Sequence, residues 1–135
     1  YHVERPAAGA EPGSVVAVDP HTTASRLSYV LWGTMPDDAL FAAAKEGRLA
    51  SRADVEREAK RLLASPRARD AVQRFHVEWL GVDRLVDERK SGGSAAVFDA
   101  SKAALVRELE RFASGVVFDG DGRLGSLFSA RDAWI

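Results

Sequence analysis

The chain has 135 residues, the length of a single domain. Its 19 basic and 20 acidic residues leave a formal net charge of −1, which argues against a nucleic-acid partner, since nucleic-acid binders usually carry a strongly basic domain or face. The sequence has no cysteine, which excludes disulfides, thiolate nucleophiles, iron–sulfur clusters and covalently attached c-type haem within this chain. No apolar run approaches about 18 residues, so we predict no membrane span in this chain.

The first twenty residues show no hydrophobic periodicity and contain three of the five prolines. We interpret residues 1–20 as a linker or the tail of a preceding domain, with Val15, Val16 and Val18 in a short extended stretch. The chain begins without Met and ends on two apolar residues, Trp134–Ile135. We therefore expect it to be a fragment of a larger protein.

Beyond residue 20 the apolar residues recur three and four positions apart, which is the spacing of one face of a helix. We predict a first helix that is capped by Asp19, Thr22 or Thr23 and ends at Gly33. Further helices are predicted over 36–46, 52–64, 66–80 and 101–117, with a last helical turn over 124–128.

The predicted helix starts carry recognisable capping residues. Thr34 with Asp37 three residues later resembles a capping box, with Pro36 at the first helical position of the second helix. Ser51 with Asp54 repeats this arrangement before the third helix. We find no strand-like alternation and no internal repeat. The sequence therefore predicts an all-α fold over 21–135, a compact bundle of four to six short helices.

One polar cluster is a candidate for a structural or an anion-binding role. Arg26 lies on a largely apolar helix, and Asp37 and Asp38 follow after a short turn. An Arg held by one of these carboxylates would tie the first two helices together. We favour this structural pair over the alternative, an anion site.

The aromatic residues and histidines allow two interpretations. Trp32, His76 and Trp79 could line a pocket, but at helical spacing such residues more often pack in a core. His76 and Glu78 are two apart on a helix and do not share a face, so we interpret His76 as a structural or surface residue.

The Asp-Gly repeat over 119–122 fails the EF-hand spacing and predicts a tight turn. We assign no catalytic residue, no metal ligand and no cofactor to this chain, and leave open whether it is part of an enzyme.

The segment TASRLSYVLWGTMPDDAL over 23–40 resembles the ASRLSYxLWxxxPDxxL signature of a bacterial family, domain of unknown function 1592. The similarity continues through LLASPRAR over 62–69 and covers nearly everything after residue 20. Family members resemble one another in lying inside large exported bacterial proteins, often beside cytochrome-c-like segments.

The resemblance implies a setting and leaves the reaction open. It implies a periplasmic or cell-surface location, with neighbouring domains of the same polypeptide as partners, a cytochrome-c-like domain among them. Our first hypothesis is a helical structural or interaction module within a large exported bacterial protein. The alternative is a part, itself without haem, of a haem c-linked oxidoreductase or electron-transfer protein.

Overall fold

The structure, a computed structural model, describes Gly13 and residues 18–131. The predicted extended stretch at Val15 and Val16 and both chain ends lie outside the described residues. Within them the chain forms six α-helices and no strand, which confirms the all-α prediction. The α-helices are α1 Pro20–Trp32, α2 Asp38–Lys45, α3 Arg52–Leu63, α4 Pro66–Trp79, α5 Ala95–Ser114 and α6 Leu124–Ser129. A 3₁₀-helix spans Val82–Val86, and a π-helix spans Gly115–Asp119.

The chain divides into two units, with the boundary inside α3 between Lys60 and Arg61. In the first unit α1 and α2 pack against each other. In the second unit α4 packs along α5, the 3₁₀-helix contacts both of these helices, and the π-helix continues α5.

Helix α1 begins and ends as its sequence predicts. The Asp19 carboxylate accepts the Thr22 backbone N–H at 2.9 Å, so Asp19 is the N-cap among the three candidates. Gly33 has a φ of +69° and donates its N–H to the Tyr29 carbonyl. A side chain is strained in this left-handed conformation, which is why glycine ends the helix here.

The predicted start of α2 is wrong by two residues. The helix begins at Asp38, and its N-cap is Asp37, whose carboxylate accepts the Leu40 N–H at 2.9 Å. Pro36 therefore precedes the cap, and Thr34 does not cap this helix. Asp37 has extended backbone angles and a short acceptor side chain, so it satisfies the free N–H of the first turn by itself.

The caps of α3 and α4 match the prediction. The Asp54 carboxylate accepts the Ser51 hydroxyl at 2.6 Å, and the Ser51 hydroxyl accepts the Asp54 N–H at 3.1 Å. The Ser65 hydroxyl accepts the backbone N–H of Arg67, and Pro66 occupies the first turn of α4.

Helix α5 begins at Ala95, six residues before the predicted start at Ser101. Alanine is the strongest helix former, and three alanines lie within 95–100, but their small side chains leave no apolar stripe to detect. Lys102 holds the preceding connection in place, because its ammonium donates to the carbonyls of Val86 and Glu88 and pairs with Asp99 at 2.8 Å.

Small and aliphatic side chains form most of the interior of each unit. The largest aliphatic side chains without exposure are Leu40 in the first unit and Leu62 in the second. Every fully buried side-chain nitrogen or oxygen of the described residues has a hydrogen-bond partner. Further buried hydrophobic residues are Ala24, Trp32, Ala43, Ala44 and Leu49 in the first unit and Ala68, Ala113 and Val116 in the second.

Candidate interaction surface

Three exposed aromatic side chains of the second unit lie next to one another, and we call them the aromatic patch: Phe75, Trp79 and Phe128. Their exposed fractions are 58%, 50% and 64%. Phe75 and Trp79 are one helical turn apart on α4, and their rings stack at a centroid distance of 5.8 Å. Phe128, from α6, meets Trp79 edge-on at 6.0 Å. The patch therefore joins residues 53 positions apart in the chain into one apolar surface.

His76 is buried and packs against two of the patch residues. The side chain is buried, and Nδ1 lies 2.8 Å from the Val72 carbonyl oxygen. A carbonyl only accepts hydrogen bonds, so Nδ1 carries the proton. The imidazole meets the rings of Phe75 and Trp79 edge-on, at centroid distances of 5.2 Å and 6.1 Å. The imidazole is thus buried against the two α4 aromatics, and the structural interpretation of His76 stays a prediction.

An ion pair connects α4 with the end of the π-helix. The Arg69 guanidinium donates to both oxygens of Asp119, at 2.8 and 2.9 Å. The same guanidinium lies 4.8 Å from the centre of the Phe118 ring and 3.5 Å from the Ser114 hydroxyl. The hydrogen bonds from Arg69 hold the pKa of Asp119 below its ordinary value, and the pair raises the pKa of Arg69.

The polar residues that the sequence singled out lie in the first unit. Arg26 is exposed on α1, Asp37 caps α2, and Asp38 is exposed in the first turn of α2, where its charge favours the helix dipole. The tie between Arg26 and one of these carboxylates stays a prediction, as does the alternative anion site.

The residues of the predicted pocket divide between the two units. His76 and Trp79 come together in the second unit, and Trp32 is buried in the first. The expectation that Trp79 packs in the core is wrong, because half of this side chain is exposed. Hydrophobic residues have the same helical spacing whether their stripe is buried or exposed. The spacing therefore did not predict this exposed surface.

Sequence reasoning also missed Phe128, Arg69 and Asp119. The only local signal was the four-residue spacing of Phe75 and Trp79; nothing in the sequence links Arg69 to a carboxylate 50 residues away. In the part of the chain that the structure describes, no three His, Cys, Asp or Glu side chains form a group that could hold a metal ion. None of the helices in the same residues has the length and hydropathy of a membrane-spanning segment.

Fold and surface together define an all-α protein with an exposed aromatic surface. The model of one protein family, described as "Protein of unknown function (DUF1592)", matches residues 18–135, and the chain belongs to this family. No curated protein and no solved structure matches the chain significantly. The membership that the resemblance indicated is thereby confirmed.

Proposed function

We propose that this chain is a helical interaction module within a large exported bacterial protein, and that its aromatic patch binds an apolar surface on a neighbouring domain of the same polypeptide. The observation that carries the proposal is the contiguous exposure of Phe75, Trp79 and Phe128. The proposed location of the whole protein is the periplasm or the cell surface, which rests on the resemblance to the family.

The chemistry of the patch suits protein recognition. Aromatic residues are enriched in the buried centres of protein interfaces, where each ring buries a large area at a small loss of side-chain freedom. Trp and Tyr are prominent among the residues that carry most of the binding free energy. In this chain Trp79 is the centre of the patch, because it contacts both other rings and His76.

The patch is also held in place before it binds. Stacking on Phe75 and the edge contacts from His76 and Phe128 restrict the Trp79 ring. A side chain that is ordered before binding loses less conformational entropy when the partner arrives. The expected partner surface is apolar and supplies one hydrogen-bond acceptor for the indole N–H of Trp79.

The test uses this chain and the remainder of its own polypeptide as two separate proteins. We expect Trp79→Ser to weaken their association by about tenfold or more, because truncation of a central aromatic anchor commonly costs this much. Val97→Ser is the matched control, since Val97 is 69% exposed on α5 and lies outside the patch, and it should leave the dissociation constant unchanged. Calorimetric titration measures both. Equal affinities of the two variants would contradict the proposal.

The resemblance also supports the alternative, in which the neighbouring domain is cytochrome-c-like and the whole protein is a haem c-linked oxidoreductase or electron-transfer protein. In that case this chain forms a docking face for the haem-bearing domain and holds no haem itself. An absorption spectrum of the full-length protein from its host, before and after dithionite, tests it. A reducible haem band is the result expected for the alternative, and a featureless spectrum of the intact, folded protein would remove it.

A further inference from the structure

We propose that the Arg69–Asp119 ion pair is a clasp that positions Phe128 beside Trp79, so that the aromatic patch is complete only while the pair is closed. The use of the patch for binding rests on the proposed function. The positioning itself stands on the geometry of the second unit alone.

One end of the clasp and two of the patch residues share a single rigid element. Arg69, Phe75 and Trp79 all lie on α4, so the helix fixes their separation. Asp119 closes the π-helix and accepts two parallel hydrogen bonds from Arg69. Two bonds from a planar guanidinium fix the orientation of a carboxylate as well as its distance. Together with the packing of α4 along α5, the pair therefore fixes where the chain leaves the π-helix relative to α4.

The chain after Asp119 is held closely against the π-helix. The Gly122 N–H donates to the Val116 carbonyl at 2.9 Å. Gly120 lies so near that a Cβ atom there would meet this carbonyl oxygen at 3.0 Å and the Val116 Cα at 3.2 Å. Because of these close contacts, the direction of the chain at Asp119 constrains the path of the residues that follow.

A second set of local bonds carries this direction into α6. The Asp121 carboxylate accepts the Arg123 N–H at 3.0 Å and the Ser126 hydroxyl at 2.8 Å. Helix α6 has six residues, too few to be stable without tertiary anchors. Phe128 lies near its end, so its position beside Trp79 depends on what anchors the segment upstream.

Hydrogen exchange of Asp119→Asn tests the clasp, because this change removes the charge and keeps the shape of the side chain. We expect amide exchange in residues 120–131 to become about two- to fivefold faster, the factor that follows from the usual strength of an exposed ion pair. In nuclear magnetic resonance spectra, the signals that report the contact between the rings of Phe128 and Trp79 should weaken. Asp99→Asn is the matched control: Asp99 is 50% exposed and Asp119 55%, but Asp99 pairs with Lys102 within α5.

A second set of variants reverses the charges of the Arg69–Asp119 pair. Arg69→Asp or Asp119→Arg alone should accelerate amide exchange in residues 120–131 more than Asp119→Asn does. The two changes together should restore part of the protection against exchange. Unchanged exchange of residues 120–131 in Asp119→Asn, or no recovery in the double variant, would overturn the clasp. These measurements need no partner, so they fail or succeed independently of the binding test on Trp79.

Discussion

Leu62→Ala should lower the free energy of unfolding by about 2–5 kcal/mol, the largest effect of any substitution considered for this protein. Leu62 has no exposed surface, and it is among the largest side chains of the described residues that are fully buried. Its truncation removes apolar contacts and leaves a cavity that neighbouring side chains fill only in part. Urea unfolding followed by circular dichroism measures the change.

The chain provides a close control at the next position. Leu63 lies on the same helix and is 42% exposed, so Leu63→Ala should cost about 1 kcal/mol or less. Leucine and alanine differ little in helix propensity, and this difference is common to both variants, so the comparison isolates burial. Equal losses for Leu62→Ala and Leu63→Ala would contradict the assignment of Leu62 to the interior.

Local signals predicted the helices of this protein well. Asp19, Ser51 and Ser65 each accept a hydrogen bond at a helix start, and Gly33 ends α1 in the left-handed conformation. Such signals depend on residues within one turn of each other, so a single sequence contains all the information they need.

The predicted starts of two helices were wrong, one where two local signals competed and one where no hydrophobic signal existed. At α2 both Thr34 and Asp37 are good capping residues, and the backbone places only Asp37 at the helix boundary. At α5 the alanine-rich start has high helix propensity without hydrophobic periodicity, so Ala95 was missed as the first residue.

The candidate surface could not be predicted because it depends on contacts distant in sequence. Phe128 reaches Trp79, and Arg69 reaches Asp119, only after the second unit has folded. An exposed aromatic and a core aromatic look alike in sequence when both follow helical spacing. The resemblance to the family does not indicate which surface of the chain would bind a partner.

Ser28→Ala should destabilise the protein by about 1–2 kcal/mol, which gives a physical reason for a serine inside the 23–40 segment. The Ser28 side chain is fully buried, and its hydroxyl donates to the Thr34 carbonyl at 2.8 Å. This bond connects α1 to the turn beyond Gly33, on the way to α2. Thr34 itself is exposed and the bond is partly buried, so the loss comes from the broken hydrogen bond and from the small gap left at the buried Ser28 position.

Ser25 is the control for this prediction, because it is a serine one turn earlier on the same helix. Its hydroxyl donates to the His21 carbonyl of α1 itself, at 2.9 Å, in a solvent-accessible position. Ser25→Ala should therefore change the free energy of unfolding by less than about 0.5 kcal/mol, since water can replace the bond and alanine is a better helix former. If the two serine variants prove equally stable in urea unfolding, the Ser28 bond does not hold the turn. If only Ser28→Ala is destabilised, the conformation of the α1–α2 turn depends on this side chain as well as on Gly33 and Asp37.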